Sequence, residues 1–211
     1  MSLALPPPGL PLSLSRHPAT PGRRRPRDAP TPLSLADLTD LTLAVAGEVR
    51  NGRYAAVVDA TSRWSRRLHA DAYLDVWLIG WAPSQAAELH DHGGSLGALT
   101  VVRGELTEWR WSGGGSGHLS DATHGAIPVA TGATEGVVGT GPGLRRRLLR
   151  AGRGATFRLG HVHDVSNRAP ESAVSVHAYS PPLSTMSYYE VDGDTIRRTR
   201  SELVPPGGPP D

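Results

Sequence analysis

Two histidines separated by a single residue are the first candidates for chemistry in this sequence. His90 and His92 flank Asp91, and on a β-strand the alternation of side chains places both imidazoles on one face. Two neutral imidazole nitrogens can then converge on one metal ion. An isolated His-x-His pair is also compatible with surface histidines or with hydrogen-bonded core histidines. The pair therefore indicates a metal site but needs support from the rest of the chain.

A second polar set, formed by Ser175, His177 and Tyr179, occupies alternate positions. On a strand these three side chains face one way, whereas Val176 and Ala178 face the other. The spacing predicts a hydrogen-bonded relay in which Ser175 orients His177 and His177 holds the Tyr179 phenol. The alternative interpretation is a polar stripe on an exposed strand face.

The composition narrows the chemistry that these residues could perform. The chain of 211 residues contains no cysteine, which excludes disulfides, thiolate metal ligands and a cysteine nucleophile. All 22 basic residues are arginines, and the net charge is only +2. A dedicated nucleic-acid-binding protein usually carries more excess positive charge, so no nucleic-acid partner is expected. Metal or nucleophilic chemistry must use His, Ser, Tyr, Asp or Glu.

The ends of the chain differ from its middle. Residues 1–33 hold nine of the 19 prolines and five arginines against one acid, which is typical of a disordered arm. Prolines interrupt every apolar run there, so we expect no signal peptide, no membrane partner and a cytoplasmic location. An organellar presequence is the alternative, which the prolines disfavour. We expect an ordered domain over residues 34–203 and a disordered tail over residues 204–211.

The elements that must position the candidate residues are mainly strands. Ser34 and Asp37 resemble a capping box that begins an amphipathic helix ending near Asn51, and residues 54–62 could form a second short helix. From residue 64 onward, short β-branched or aromatic runs are broken by glycine and proline, with no alternating helices. This pattern predicts an all-β barrel or sandwich with one or two N-terminal helices. The predicted strands are 64–68, 73–81, 87–91, 98–103, 106–111, 126–130, 148–151, 156–158, 162–165, 173–179 and 186–191.

Two blocks of the sequence resemble the paired motifs of the cupin superfamily. The first motif is matched at His90, His92 and Gly104, although Gly97 stands where cupins have a ligand glutamate. Three imidazoles without that glutamate leave a divalent ion with its full charge and one open face. Such a site suits an anionic, chelating substrate together with a second small ligand, and a thiolate is the obvious soft candidate for iron.

The second cupin motif is matched between Gly152 and Asn167, with Arg158 in place of the usual proline. Its register implies that His163, rather than His161, is the third metal ligand. The two motifs occur in the expected order, about seventy residues apart. Their joint presence favours a metal centre over structural histidines.

Additional strings narrow the resemblance to the type I cysteine dioxygenase family, over about residues 64–190. The family implies a small jelly-roll β-barrel that holds non-haem Fe(II) on three histidines and converts cysteine to cysteine sulfinic acid with O2. The strings are Trp64-Ser65-Arg66, Gly80-Trp81, His90-Asp91-His92, the run from Gly104 to Glu108, and the run from Ala173 to Pro182.

The resemblance also implies roles for residues around the metal. Arg66 matches the arginine that clamps the substrate carboxylate, with Arg63 and Arg67 as alternatives. Trp81 is expected to form a wall of the pocket. Trp64 replaces the tyrosine that the family has two residues before the clamp, which changes the expected shape of the carboxylate pocket.

The relay residues complete the implied site. Tyr179 is expected to point its phenol at the metal-bound substrate, and the Ser180–Pro181 peptide bond is expected to be cis. Gly97 stands where mammalian relatives carry the cysteine that cross-links to the tyrosine. Tyr179 must therefore act without a cross-link.

Together these observations predict an Fe(II)-dependent thiol dioxygenase that oxidises L-cysteine to cysteine sulfinic acid. Its catalytic residues would be Ser175, His177 and Tyr179. A small thiol and O2 are the expected partners, and a monomer is the expected state. Two alternatives stay open: a dioxygenase of another small thiol such as 3-mercaptopropionate, and a non-catalytic metal-binding cupin.

Overall fold

The computed structural model of the protein describes residues 32–57, 59–113, 138–141, 143–205 and 208. The expected arm, apart from residues 32 and 33, and the expected strand over 126–130 lie outside this part of the chain. Most of the expected C-terminal tail lies outside it as well.

A single helix, α1 (Leu35–Arg50), begins with the predicted capping box. The Ser34 hydroxyl oxygen accepts a hydrogen bond from the backbone N–H of Asp37, whose carboxylate accepts one from the backbone N–H of Ser34. No helix among the described residues is both long and apolar enough to cross a membrane. The buried face of α1 consists of Leu38, Leu41, Thr42, Val45, Ala46 and Val49.

The second short helix considered over residues 54–62 does not form among the described residues of that stretch. The Asp59 carboxylate instead accepts hydrogen bonds from the backbone N–H groups and hydroxyls of Thr61 and Ser62. Such local bonds offer the backbone an alternative to helical hydrogen bonding. The barrel is therefore preceded by one helix in the described chain.

Twelve strands follow α1 in the described residues and form two antiparallel sheets. The five-stranded sheet has the order β1-β2-β10-β4-β8, and the seven-stranded sheet has the order β12-β11-β3-β9-β5-β7-β6. This arrangement confirms the predicted all-β fold with an N-terminal helix. The strands are β1 (Trp64–Ala70), β2 (Asp75–Trp81), β3 (His90–Asp91), β4 (Leu96–Arg103), β5 (Glu105–Trp111), β6 (Val138–Gly141), β7 (Leu144–Arg150), β8 (Gly154–Phe157), β9 (His163–Ser166), β10 (Ala173–Ser180), β11 (Thr185–Asp192) and β12 (Thr195–Leu203).

Two inner strands of the five-stranded sheet, β2 and β10, are buried on both faces. Trp77, Ile79 and Trp81 of β2 belong to the main apolar core, which also takes side chains from strands of the seven-stranded sheet. The opposite face packs against α1, where the Thr100 hydroxyl donates a hydrogen bond of 2.9 Å to the Thr42 hydroxyl oxygen. All eight residues of β10 are buried as a result.

Strand register brings the two histidine motifs together. β3 lies between β11 and β9, and in the β3–β9 pair His90 is directly opposite His163. In the other sheet β10 lies between β2 and β4, and Tyr179 is opposite Gly97. Because both sheets contribute side chains to the same interior, the histidine motifs and the polar side chains of β10 meet inside the barrel.

Candidate metal centre

The imidazoles of His90, His92 and His163 converge at one point inside the barrel. One ring nitrogen from each lies within 4.8 Å of the others, and the Nε2 atoms of His90 and His92 are 3.2 Å apart. All three residues are at most 4% exposed. The structure thus brings together the three residues expected to bind the metal.

Hydrogen bonds on the far sides of two rings determine which nitrogens can bind a metal. His90 Nδ1 lies 2.7 Å from the carbonyl oxygen of Glu88, and His163 Nδ1 lies 3.1 Å from Oε1 of Glu108. Both acceptors lack a hydrogen, so each Nδ1 carries the proton and each Nε2 keeps a lone pair. Among the described residues, the buried Nε2 of His163 has no hydrogen-bond partner. A divalent metal ion is a fitting partner for these nitrogens.

Burial keeps the ligand imidazoles neutral, which is the form that binds metals. It lowers the pKa of His90 to about 3 and holds the pKa of His92 well below its usual value. The pKa of His163 is also lowered by burial, although its contact with Glu108 opposes that shift. The residues present therefore fit a divalent transition metal with three neutral nitrogen ligands.

The Glu108 carboxylate contacts Nδ1 of His163, the ring nitrogen that does not face the other two histidines. The Glu108 side chain is fully buried, and Oε2 accepts hydrogen bonds of 3.0 and 2.7 Å from Nε and Nη2 of Arg147. Oε1 faces both His163 and, at 3.3 Å, Nε2 of His161. Burial raises the pKa of this carboxyl, but the hydrogen bonds from both histidines and the charge of Arg147 hold it well below its usual value. Glu108 is therefore an ionised carboxylate in contact with His163, a candidate metal ligand.

The polar face of β10 forms the predicted relay and extends it by one residue. Ser175 Oγ lies 2.9 Å from Nε2 of His177, and His177 Nδ1 lies 3.3 Å from the hydroxyl oxygen of Tyr179. Nε1 of Trp81 donates a hydrogen bond of 2.9 Å to Ser175 Oγ. All four side chains are at most 3% exposed, so the stripe is internal.

Trp81 is the fixed donor at the outer end of the relay. An indole N–H can only donate, so Ser175 Oγ accepts from Trp81, and its own hydrogen is available to Nε2 of His177. Burial holds the pKa of His177 well below its usual value, so the ring is neutral and has one hydrogen for its contacts with Ser175 and Tyr179. Trp81, expected only as a pocket wall, also anchors the relay.

A small pocket joins the metal ligands to the relay. The space enclosed by its lining residues, counted together with the solvent at its mouth, is about 190 Å³. The Tyr179 ring borders this space, with its centroid 4.9 Å from that of His92. The site is suited to a molecule of few heavy atoms. The lining residues are Trp81, His90, His92, His163, Val165, His177 and Tyr179.

Arg63 is the arginine that the structure places beside the pocket. Its guanidinium carbon lies 4.5 Å from the ring centroid of Trp81. Burial is the main cause of the lowered pKa of His177, and the positive charge of Arg63 is the second largest cause. Arg67, another candidate clamp, is held by Asp75, whose Oδ1 lies 2.5 Å from Arg67 Nε.

Arg66, the clamp that the resemblance implies, is not brought to the pocket. It is exposed, and its Nη2 donates a hydrogen bond of 2.9 Å to the carbonyl oxygen of Ala55. In the β1–β2 register Arg66 is opposite Leu78 and Trp64 is opposite Gly80, which places both on the face that looks away from Trp81. Trp64, the residue in place of the expected tyrosine, therefore covers Gly80 instead of shaping the pocket.

Gly97 allows the close approach of two aromatic rings. A Cβ atom there would lie 3.0 Å from Cδ1 of Tyr179 and 2.8 Å from Cδ2 of Phe157. Phe157 in turn packs against His163, with ring centroids 4.3 Å apart. The Ser180–Pro181 peptide bond is cis, as the resemblance implies.

The sequence did not point to two residues of this site, Glu108 and Phe157, as contacts of His163, and it left Arg63 as an alternative. Glu108 carried a signal, since it lies two positions after the core residue Leu106 on one strand, and an acid on a core-facing position requires a buried partner. Phe157 resembled any core aromatic residue. Arg63 was only an alternative, because spacing alone does not reveal which arginine faces inward.

Comparisons with known proteins identify the family to which the chain belongs. The model of the family described as cysteine dioxygenase type I matches residues 37–192, which include every site residue described above. Among solved structures, a double-stranded β-helix protein from Klebsiella pneumoniae is 18% identical, with a TM-score of 0.43 over 66% of this chain and 94% of its own. A sugar phosphate isomerase of the cupin superfamily from Silicibacter pomeroyi is 17% identical, with a TM-score of 0.42 over 65% of this chain and 70% of its own. Because the family match spans well over half of the sequence, the chain belongs to the cysteine dioxygenase type I family.

Proposed function

We propose that the protein is an Fe(II)-dependent thiol dioxygenase that oxidises L-cysteine to cysteine sulfinic acid. The observation that carries the proposal is that three neutral imidazoles and a phenol in contact with His177 line one small pocket. Membership of the family supports a metal-dependent dioxygenase. Iron as the metal and cysteine as the thiol are the finer parts of the proposal.

His90, His92 and His163 would hold the iron through Nε2 atoms. Bound Fe(II) supplies a Lewis-acidic centre with open positions for a thiolate and O2, and it can exchange electrons with both. Because the protein ligands are neutral, an anionic thiolate is favoured as a further ligand.

The proposed reaction needs no external reductant. The thiolate sulfur forms two bonds to oxygen while the O–O bond breaks, so RS⁻ and O2 give RSO2⁻. Sulfur loses four electrons, and the two oxygen atoms gain them. The residues of the pocket therefore have to bind and orient the thiol and exclude water; they need not supply electrons.

Tyr179 would donate a hydrogen bond to oxygen or to the substrate as negative charge develops. Its orientation is fixed in advance by Trp81, Ser175 and His177, so little reorganisation is needed during the reaction. A preorganised donor of this kind commonly lowers a barrier by about 3 kcal/mol. A pocket that only binds a ligand has no need of such a relay, which argues against the non-catalytic alternative.

Arg63 would bind the substrate carboxylate through charge-assisted hydrogen bonds. Its position over Trp81 supports this role. We therefore assign the clamp to Arg63 in place of Arg66.

A dioxygenase of 3-mercaptopropionate is the second candidate function. None of the described residues that line the pocket is acidic, so no lining side chain would pair with the amino group of cysteine. The protein side chains identified here would contact the thiol and carboxylate of either substrate equally well. Preference for cysteine would then depend on binding of its amine to the metal.

Oxygen uptake by the iron-loaded protein tests the proposal. The thiols to compare are L-cysteine, 3-mercaptopropionate and cysteamine, each with metal-free protein as the control. Fastest uptake with cysteine supports the proposed function, and fastest uptake with 3-mercaptopropionate supports the second candidate. If none of the three thiols supported oxygen uptake, a non-catalytic metal-binding cupin would be the remaining interpretation.

A further inference from the structure

Two glutamate–arginine pairs link β5 to β7, and they differ in burial. Glu108 is opposite Arg147, and Glu105 is opposite Arg150. The Glu105 carboxylate is 40% exposed and 3.7 Å from Arg150, whereas the Glu108 side chain is 0% exposed and 2.7 Å from Arg147. A cross-strand ion pair at the surface contributes little to stability. A charge buried as completely as that of Glu108 is costly and needs a reason beyond strand pairing.

The second oxygen of Glu108 faces the metal centre. Oε2 is used by Arg147, while Oε1 lies 3.1 Å from Nδ1 of His163. A carboxylate only accepts hydrogen bonds, so this contact keeps the proton of His163 on Nδ1 and turns Nε2 toward His90 and His92. A carboxylate behind a ligand imidazole also makes the ligand nitrogen more basic.

We propose that Glu108 is a positioning residue that orients His163 and supplies, through its imidazole, negative charge that the three-histidine ligand set lacks. The proposal rests on the proposed function, since it requires that the histidines bind a metal. Arg147 opposes Glu108 in this role: it holds the carboxylate in place, but its positive charge reduces the field at the metal. His161 adds a second hydrogen bond to Oε1 from the partly exposed side of the cluster.

Opposite effects of two substitutions separate this role from a structural ion pair. Glu108→Gln keeps the shape of the side chain and removes its charge, so we expect Fe(II) affinity to fall by about 10–100-fold. Arg147→Gln removes the opposing cation while His161 and His163 still contact the Glu108 carboxylate, so Fe(II) affinity should not fall. A purely structural pair predicts equal losses for both variants.

The measurement is competition for Fe(II) between the protein and a chromophoric chelator under anaerobic conditions. Glu105→Gln is the matched control, because it makes the same chemical change in the exposed pair on the same strands, and its affinity should equal that of wild type. Nitrogen NMR of the metal-free protein gives an independent reading, with His163 protonated on Nδ1 in wild type and a mixture of tautomers in Glu108→Gln.

Wild-type affinity in Glu108→Gln, or equal losses in Glu108→Gln and Arg147→Gln, would overturn the proposal. An Nε2-protonated His163 in the wild-type protein would overturn it as well. If wild-type protein itself failed to bind Fe(II), the proposed function would fail, and this proposal with it.

Discussion

Hydrogen-bond direction at single residues decides what this site can do. The donor-only indole of Trp81 and the acceptor-only carbonyl of Glu88 lie at the outer ends of two chains of contacts that lead inward. The Glu88 carbonyl fixes the proton of His90 on Nδ1 and leaves a lone pair on the inner nitrogen of that ring, while the Trp81 indole makes Ser175 an acceptor at the outer end of the relay. The site is therefore assembled with its donors and acceptors already oriented.

Removal of the Tyr179 hydroxyl should slow turnover without loss of metal. In Tyr179→Phe we expect iron content equal to that of wild type and kcat reduced by about 100-fold, since one preorganised donor is lost. Iron analysis and sulfinate formation per O2 consumed measure the two effects. Tyr73→Phe, which changes a partly exposed tyrosine, should leave kcat unchanged. Normal turnover in Tyr179→Phe would show that the phenol does not contribute to catalysis.

The two arginine candidates give a second test at this scale. Arg63→Gln should raise KM for cysteine by at least about tenfold and reduce the preference for cysteine over cysteamine, because a charge-assisted contact contributes about 1.5–3 kcal/mol. Arg66→Gln, on the opposite face of the sheet, should leave both quantities unchanged. Steady-state kinetics with both thiols decide between them, and a reversed pattern would restore Arg66 as the clamp.

The sequence identified the residue types of the site, but it gave less information about which side chains face the interior of the barrel. His90, His92 and the relay of β10 could be predicted because alternate spacing on a strand fixes a common face. Arg63 and Arg66 could not be separated in this way. Alternation places these two arginines on opposite faces of the strand but does not reveal which face looks inward.

The elements differ in how well their sequences predict them. The capping box and apolar spacing of α1 follow from local contacts, so its position was predicted closely. β12 was missed because its sequence, TIRRTRSEL, is polar on both faces and exposed at the edge of its sheet. The third histidine, His163, followed from the resemblance to the second cupin motif, because the β3–β9 pairing that places it opposite His90 is a long-range contact.

Helix α1 should contribute to stability through one face only. Leu38 is 0% exposed and Leu43 is 47% exposed on the same helix. Leu38→Ala should lower the free energy of unfolding by about 2–5 kcal/mol, whereas Leu43→Ala should change it by less than about 0.5 kcal/mol. Urea denaturation measures both values. Equal effects would contradict the packing of α1 against the five-stranded sheet.

The whole molecule encloses several histidines that stay neutral when folded. Burial lowers the pKa of His90, His92, His163 and His177 below the ordinary value. In the unfolded chain these residues take up protons below about pH 6.5, while the folded, metal-free protein does not. Acidification therefore favours the unfolded state, and the stability present above pH 6.5 is lost as the pH falls.

The metal-free protein should lose stability between pH 7 and pH 5. Each histidine that remains neutral contributes a slope of about 1.4 kcal/mol per pH unit below its unfolded pKa. His90→Gln should reduce the total slope by about that amount, because one such group is gone. Urea denaturation at a series of pH values provides the measurement, and a free energy of unfolding that is constant from pH 7 to pH 5 would show that these imidazoles are not held neutral.

The most direct test of the central claim is the fate of isotopically labelled oxygen. Iron-loaded protein is supplied with L-cysteine and ¹⁸O2, and the product is analysed by mass spectrometry. The account predicts cysteine sulfinic acid that carries two ¹⁸O atoms per sulfur, with none formed by the metal-free protein. Cystine as the only product, or a sulfinate whose oxygen comes from water, would contradict it.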